Sequence, residues 1–234
     1  MNKTRAAPPL MALFALLEQS PGGLGRSFGR KLKRRMAPRS LAEFEARLTR
    51  IGPGDICLDL GANAGVVTTQ LARTGAMVHA FEPDPDTFAR LAANVGHIPN
   101  VTLHQKAVGA RSEQVHLRRI KGFASDPARF SLGTSAVLNT PGQFEQDTIA
   151  VDQLGFRDLL ASFAPGKVAL IKMDIEGAEF AILQDILDGE LPANFDALFV
   201  ETHENAAREY RGAIRRYRSK AIGLHYPHID LFWP

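Results

Sequence analysis

From Ile56 onward, short apolar runs alternate with stretches whose apolar residues recur every three or four positions. The runs predict buried strands at Ile56–Leu60, Met77–Phe81, Val101–Val108, Val168–Met173 and Ala197–Val200. The helical spacing predicts helices at Val66–Ala72, about Pro85–Val95, about 178–187 and about 204–219. Strand followed by helix at short intervals predicts a parallel sheet covered on both faces. Residues 110–150 break the rhythm: Val115 and Leu117 alternate, and Gly, Ser and Thr crowd around Ser131–Ser135. This stretch reads as a hairpin or loop inserted over the sheet's ligand edge, since loops this long in a compact domain are often functional. Helix-like spacing at Leu154, Leu159, Leu160 and Phe163 follows it. The last segment, Ile222 to Phe232 with a break at Pro227, reads as a closing antiparallel hairpin.

Before Ile56 the pattern changes. Leu41, Phe44 and Leu48 predict a helix that leads into the turn Gly52-Pro53-Gly54. Pro21-Gly22-Gly23 and Ala37-Pro38 flank a basic stretch and read as linker punctuation. That stretch holds Arg26, Arg30, Lys31, Lys33, Arg34, Arg35 and Arg39. Of 28 Lys and Arg, eleven fall in residues 1–50, against three of the 25 Asp and Glu: +8 there and −5 over the remainder. The basic character belongs to the extension, so the globular part is not read as a nucleic-acid binder.

The division expected is a basic extension over residues 1–50, helical or partly disordered, and one domain over 51–234. With 45% hydrophobic residues in 234, the chain can bury one sizeable core. The extension is a solvated arm, or a contact for an anionic membrane or an acidic partner. Its apolar run Leu10–Leu17 falls far short of the roughly 20 residues that span a bilayer. No small-residue cleavage site follows that run, so it is not read as a signal peptide. Cys57, the single cysteine, sits in a strand pattern, which suits a buried thiol and a reducing, cytoplasmic location.

Two places carry candidate chemistry. The first is Asp59-Leu60-Gly61-Ala62-Asn63-Ala64-Gly65, which leaves the first strand and opens a helix. Glycines there permit a tight turn and close backbone approach to a ligand, and Glu82 ends the next strand, where an acid grips ribose hydroxyls. Charge separates the nucleotide candidates. The pyrophosphate of NAD would be repelled by Asp59, at about 1 kcal/mol per 4 Å charge pair in water and roughly 4 at an effective dielectric near 20. The sulfonium and ammonium of S-adenosylmethionine would be attracted. A nicotinamide-dependent oxidoreductase and a catalytically silent binding protein remain the alternatives.

The second place is Ile171–Glu179, where an apolar strand delivers Asp174, Glu176 and Glu179 to the sheet edge at which α/β folds bind ligands. Clustered acids raise one another's pKa, which suits a general base, and their oxygens equally suit a divalent cation. No spacing here is diagnostic of a metal. Glu179 stands in the first turn of a helix, where the macrodipole alone favours an acid. Lys172 is either a solvated strand residue or a partner for these acids. His203, at the end of the next strand beyond Glu201, is a candidate base or a hydrogen-bonded structural histidine. Ser131, Thr134 and Ser135 are candidate acceptor-pocket residues.

Taken together, Asp59–Gly65, Phe81-Glu82-Pro83, Lys106-Ala107-Val108-Gly109, Ile171–Glu179 and Val200-Glu201-Thr202-His203 resemble the FkbM-type methyltransferase family. The resemblance runs from about residue 54 to 205. It implies a class I, Rossmann-like three-layer α/β sandwich with a mostly parallel seven-stranded sheet whose last strand is antiparallel. It also implies an S-adenosylmethionine-dependent O-methyltransferase acting on a small-molecule or glycan hydroxyl. Carried over by motif, Asp59, Gly61, Asn63 and Gly65 would hold the methionine portion and Glu82 the ribose. Adenine would lie near Ala107, held by backbone or by Gln105. From their placement at the strand ends, and not by motif, Asp174, Glu176 and His203 are the candidate catalytic residues.

Overall fold

The computed structural model describes residues 22–123, 125, 135, 143–204 and 208–234. In chain order the first elements are α1 (Gly22–Leu48), β1 (Ile56–Leu60), α2 (Val66–Ala72), β2 (Met77–Phe81), α3 (Pro85–Val95), β3 (Val101–His104) and β4 (Ala107–Gly109). There follow β5 (Glu113–Ile120), β6 (Phe144–Gly155), α4 (Phe156–Ala161), β7 (Val168–Met173), α5 (Glu179–Asp188), β8 (Ala197–Glu201), α6 (Arg208–Gly223) and β9 (His228–Trp233).

Six strands form the main sheet in the order β3-β2-β1-β7-β8-β9, all pairing in parallel. Successive side chains on a strand point to opposite faces, and here both faces are apolar. Cys57, Val78, Leu170 and Phe199 pack toward α1 and α2, while Leu58, Ile171, Met173, Leu198 and Val200 pack toward α4, α5 and α6. The fold is therefore a helix–sheet–helix α/β sandwich of Rossmann-like, class I type. No helix among the described residues is long and apolar enough to cross a membrane.

Two expectations about the sheet are corrected. It has six strands among the described residues rather than seven, and the last runs parallel to β8 instead of antiparallel. The cause is α6, whose buried Ile214, Tyr217 and Ala221 lie against Ile229 and Leu231. A helix crossing a sheet face returns the chain in its original direction, so Ile222–Phe232 forms a helix end and a parallel strand and no hairpin. The run Val101–Val108 also splits. β3 pairs with β2, but after Gln105 and Lys106 the chain turns away and β4 pairs with β6 in a second, three-stranded sheet. In that sheet β5 and β6 are antiparallel, so the expected hairpin is present. Leu154 belongs to its second strand, and the helix after it begins only at Phe156.

Ala37-Pro38 is not a linker: α1 runs straight through it. An interior proline costs a helix ~3 kcal/mol or more through its lost hydrogen bond and ring clash. Burial offsets that loss, because Leu32 and Phe44 are almost fully enclosed and each contributes about 1.5–3 kcal/mol. Phe44 meets Phe199 edge-on at 5.3 Å and Trp233 at 4.6 Å, and Leu32 and Met36 lie against Phe232. The apolar run Leu10–Leu17, Ser131 and Thr134 lie outside the described residues.

Candidate active site

The parallel register of β1 and β7 sets Asp59 beside Lys172, both buried. Thr68 of α2 donates to Asp59 Oδ2 at 2.7 Å, and Lys172 Nζ lies 3.4 Å from Asp59 Oδ1. The same ammonium donates to the Gly61 carbonyl at 2.7 Å and lies 3.7 Å from Asp174 Oδ2. Burial pulls the Lys172 pKa down, but Asp59 and Asp174 more than reverse this and hold it above the ordinary lysine range. Lys172 is thus a fixed cation that neutralises Asp59 beneath the glycine turn. Asp59 consequently presents no bare charge to a ligand, and the repulsion argument against a pyrophosphate loses its footing.

Gly61 has φ +78°, and a Cβ there would lie 1.7 Å from the Asp174 carbonyl oxygen. The two strand ends touch backbone to backbone, which only glycine permits. Asn63, with φ +48°, follows in the left-handed region. Its N–H donates to Glu82 Oε2 at 3.1 Å, and the Asp84 N–H donates to Oε1 at 3.0 Å. Burial pushes the Glu82 carboxyl up to about 7, with these two N–H groups working against it.

Gly61, Asn63, Glu82, Ala107, Asp174 and Glu176 line one cleft. Phe81, Val108 and Leu117 give it an apolar wall, with Lys106 and Gln153 at its side. Asp59 and Gly65 do not line it. Asp59 lies below, and Gly65 begins α2 with Val95 and Leu91 side chains 2.9 and 3.0 Å from where its Cβ would be.

The small sheet is clamped onto this cleft. Arg119 of β5 donates to both oxygens of Asp84, at 2.6 and 2.9 Å, while Asp84 caps α3 through the N–H groups of Asp86 and Thr87. Ser135 donates its hydroxyl to the Glu176 carbonyl at 2.5 Å.

Beyond β7 the acids converge on His203. Glu176 sits at φ +50°, an uncommon conformation for a non-glycine residue and one that clusters at functional sites. Its Oε2 lies 3.3 Å from His203 Nε2, and Asp174 Oδ1 lies 3.8 Å from the same nitrogen. Behind the ring, fully buried Glu179 accepts from the His203 backbone N–H at 2.9 Å and pairs with Nδ1 at 3.0 Å. Its other oxygen accepts from the Gly177 N–H at 2.7 Å. Burial lowers the His203 pKa, but Glu179, Glu176 and Asp174 override it and raise it to about 9. Burial raises the Glu176 carboxyl to about 7; His203 pulls it down while Asp174 and Glu179 push it up. Asp174, Glu176 and His203 each offer one ligand atom within 4.8 Å of the others, spacing that also suits a divalent cation.

The sequence reading undervalued Glu179 and Lys172 and missed Leu117 and Gln153. Glu179 had a signal: it shares the helix face of Ile182, Leu183 and Ile186, so the period that buries those residues buries the acid too. The hairpin residues reach the cleft only through strand pairing, which no local pattern announces.

The glycine turn, Glu82 and the acid–histidine cluster stand at the carboxyl edge of a parallel sheet, in a fold of the Rossmann-like, class I methyltransferase type. Residues 59–221 match the family described as Methyltransferase FkbM domain, and the chain belongs to that family. It is 31% identical over 165 residues to "31-O-demethyl-FK506 methyltransferase FkbM" of Streptomyces tacrolimicus, covering 60% of this chain and 62% of that protein. It is 28% identical over 149 residues to "Hexuronic acid methyltransferase AglP" of Haloferax volcanii, covering 64% and 56%. It is also 24% identical over 170 residues to "2-O-methyltransferase NoeI" of Sinorhizobium fredii, covering 69% and 68%. The chain thus spans about six tenths of the length of the first two relatives.

Proposed function

We propose that the protein transfers a methyl group from S-adenosylmethionine to a hydroxyl of a small-molecule or glycan acceptor. One observation carries this reading: the glycine turn and Glu82 open into the same cleft as Asp174 and Glu176. The residues present suit the cofactor. The turn at Gly61 and Asn63 brings bare backbone to the cleft, Glu82 offers a carboxylate for ribose hydroxyls, and Phe81, Ala107, Val108 and Leu117 supply an apolar wall for adenine. When bound, S-adenosylmethionine supplies an electrophilic methyl group on a sulfonium. The names of the Streptomyces and Sinorhizobium relatives specify oxygen, which supports a hydroxyl acceptor.

Glu176 is the residue best placed to take the acceptor's proton. His203, with its pKa raised to about 9, already holds a proton at neutral pH, whereas Glu176 at about 7 is poised between its two forms. A base works best when its pKa lies near the operating pH. Glu179 fixes the His203 ring, and the cationic ring holds Glu176 and Asp174 in place. Lys172 ties Gly61 to Asp174, joining the cofactor half of the cleft to the acceptor half. Asp59 and Gly65 support the glycine turn from beneath. A cytoplasmic site of action belongs to the same reading and is supported by Cys57, a buried thiol whose pKa burial pushes up to about 12.

Calorimetric titration with S-adenosylmethionine and with NAD, followed by labelled methyl transfer to a panel of sugars and hydroxylated metabolites, tests the proposal. Expected are S-adenosylmethionine binding and label in an ether product. NAD binding without S-adenosylmethionine binding would sink it, and cofactor binding without turnover on any acceptor would point to a silent binding protein.

A further inference from the structure

The basic stretch of the extension reaches the acceptor side of the site. α1 runs antiparallel to the strands: Arg47, near its carboxyl end, shares a surface depression with Asp196 and His228, where β8 and β9 begin. Lys33 lies at the opposite edge, donating to the Thr202 carbonyl at 3.4 Å and standing 3.8 Å from Glu201. The turns of α1 that precede Leu32 therefore continue toward and beyond the carboxyl edge of the sheet. Arg30 is one turn above Lys33 on the same helix face and is exposed, as is Arg34 beside it. Six cations and no acid lie between Arg30 and Arg39.

This cationic wall adjoins an acidic floor. Glu201 stands between them: burial raises its carboxyl, Asp174 raises it further, and Lys33 and His203 pull it back. The Lys33–Glu201 pair itself is a weak hold. Both side chains are about a quarter exposed, and such pairs contribute only about 0–1 kcal/mol, so Lys33 is easily recruited by a stronger anion. A neutral acceptor has no use for the wall, and a cationic one is repelled by it. A molecule with a hydroxyl at one end and an anionic group at the other matches both charges.

We infer that the acceptor carries a carboxylate or phosphate, held by Lys33 and Arg30 of α1 while its hydroxyl lies at Glu176. This rests on the methyltransferase reading of the cleft.

The test uses matched acceptors: methyl glucuronoside, its uncharged methyl ester, and glucose 1-phosphate against glucose. Initial rates are measured with labelled S-adenosylmethionine, and equilibrium binding of each sugar with S-adenosylhomocysteine present, so that a poor acceptor still reports affinity. Expected is about a 10-fold preference, in kcat/KM or in affinity, for the acid-bearing member of each pair, falling toward unity in Arg30→Glu/Lys33→Glu and weakening with salt. The milder Arg30→Gln, confirmed folded by its thermal melt, should lower the same ratio. Equal use of charged and neutral acceptors, or a ratio unmoved by charge reversal, overturns the inference and leaves the methyltransferase reading standing. Loss of anionic-vesicle binding on charge reversal, with the ratio unchanged, also overturns it and assigns the cations to a membrane. Failure to bind S-adenosylmethionine removes both.

Discussion

Glu179 grips His203 twice with a single oxygen: Oε1 lies 2.9 Å from the backbone nitrogen and 3.0 Å from ring Nδ1. The carboxylate is fully buried while the histidine is half-buried, so Nε2 is aimed outward at Glu176 and Asp174. The buried acid thereby fixes the orientation of the ring and favours its protonated form.

Replacing Glu179 with Gln keeps an acceptor oxygen but removes the charge. The raised pKa of His203 should fall, so the alkaline limb of the pH–rate profile should move to lower pH. kcat should drop by roughly 10–100-fold, the scale seen when an outer-shell partner of a catalytic group is lost. Calorimetry should show S-adenosylmethionine affinity within a few-fold of the parent. An unchanged alkaline limb would separate Glu179 from the chemistry.

The pH dependence follows from the raised pKa values of Glu176 and His203. Glu176 accepts a proton only when ionised, and burial and its acidic neighbours raise it to about 7, so kcat should rise as pH increases through about 7. His203 loses its proton above about 9, leaving the cluster more negative and the rate lower. The profile should be a bell whose limbs belong to the coupled cluster rather than to either residue alone. Glu176→Gln should abolish the acidic limb and lower kcat by about 10²–10⁴-fold, the usual worth of a general base. Rates that do not vary between about pH 6 and 10 would remove the cluster from the proton path.

Gly61→Ala sets a Cβ against the Asp174 carbonyl, 1.7 Å away, at φ +78°. Left-handed backbone alone costs an L-residue about 1–2 kcal/mol, and the clash forces β1 and β7 apart. Thermal melting should show the loss, and cofactor binding should weaken further because the turn moves. Gly52→Ala, with open space around its Cβ, is the control expected to leave both unchanged.

These tests concern residues that the chain reveals unevenly. β1, β2, β7 and β8 could be read because strands buried on both faces are continuous apolar runs, and Gly61, Glu82, Asp174 and Glu176 could be read because they end such runs. The direction of β9 was hidden. It depends on whether the polar α6 packs on the sheet, and the buried part of the face that does so is Ile214, Tyr217 and Ala221, set amid many charges. The docking of α1 ahead of Leu41, and its continuity through Pro38, were hidden likewise, because the strip of Leu32, Met36 and Ser40 is interleaved with cations and a proline. The Glu179–His203 contact exists only because β7 and β8 are neighbours, a fact of topology that no local spacing encodes.

Asp59 and Lys172 show the same dependence on register and give a quantitative prediction. Lys172→Met removes the ammonium facing Asp59 Oδ1 and leaves a fully buried carboxylate with Thr68 as its hydroxyl donor. Stripping one partner from a buried pair costs about 3–5 kcal/mol, because the remaining charge is uncompensated. Asp59→Asn/Lys172→Met should therefore recover much of that loss, giving a coupling energy well above the few tenths found for independent sites. The double variant should still bind S-adenosylmethionine more weakly than the parent, since the bond from Lys172 to the Gly61 carbonyl is gone. Chemical denaturation of the four species measures the coupling, and calorimetry measures the binding. Additive stability losses would show that the pair is not coupled. Parent-like affinity in the double variant would show that Lys172 does not support the glycine turn.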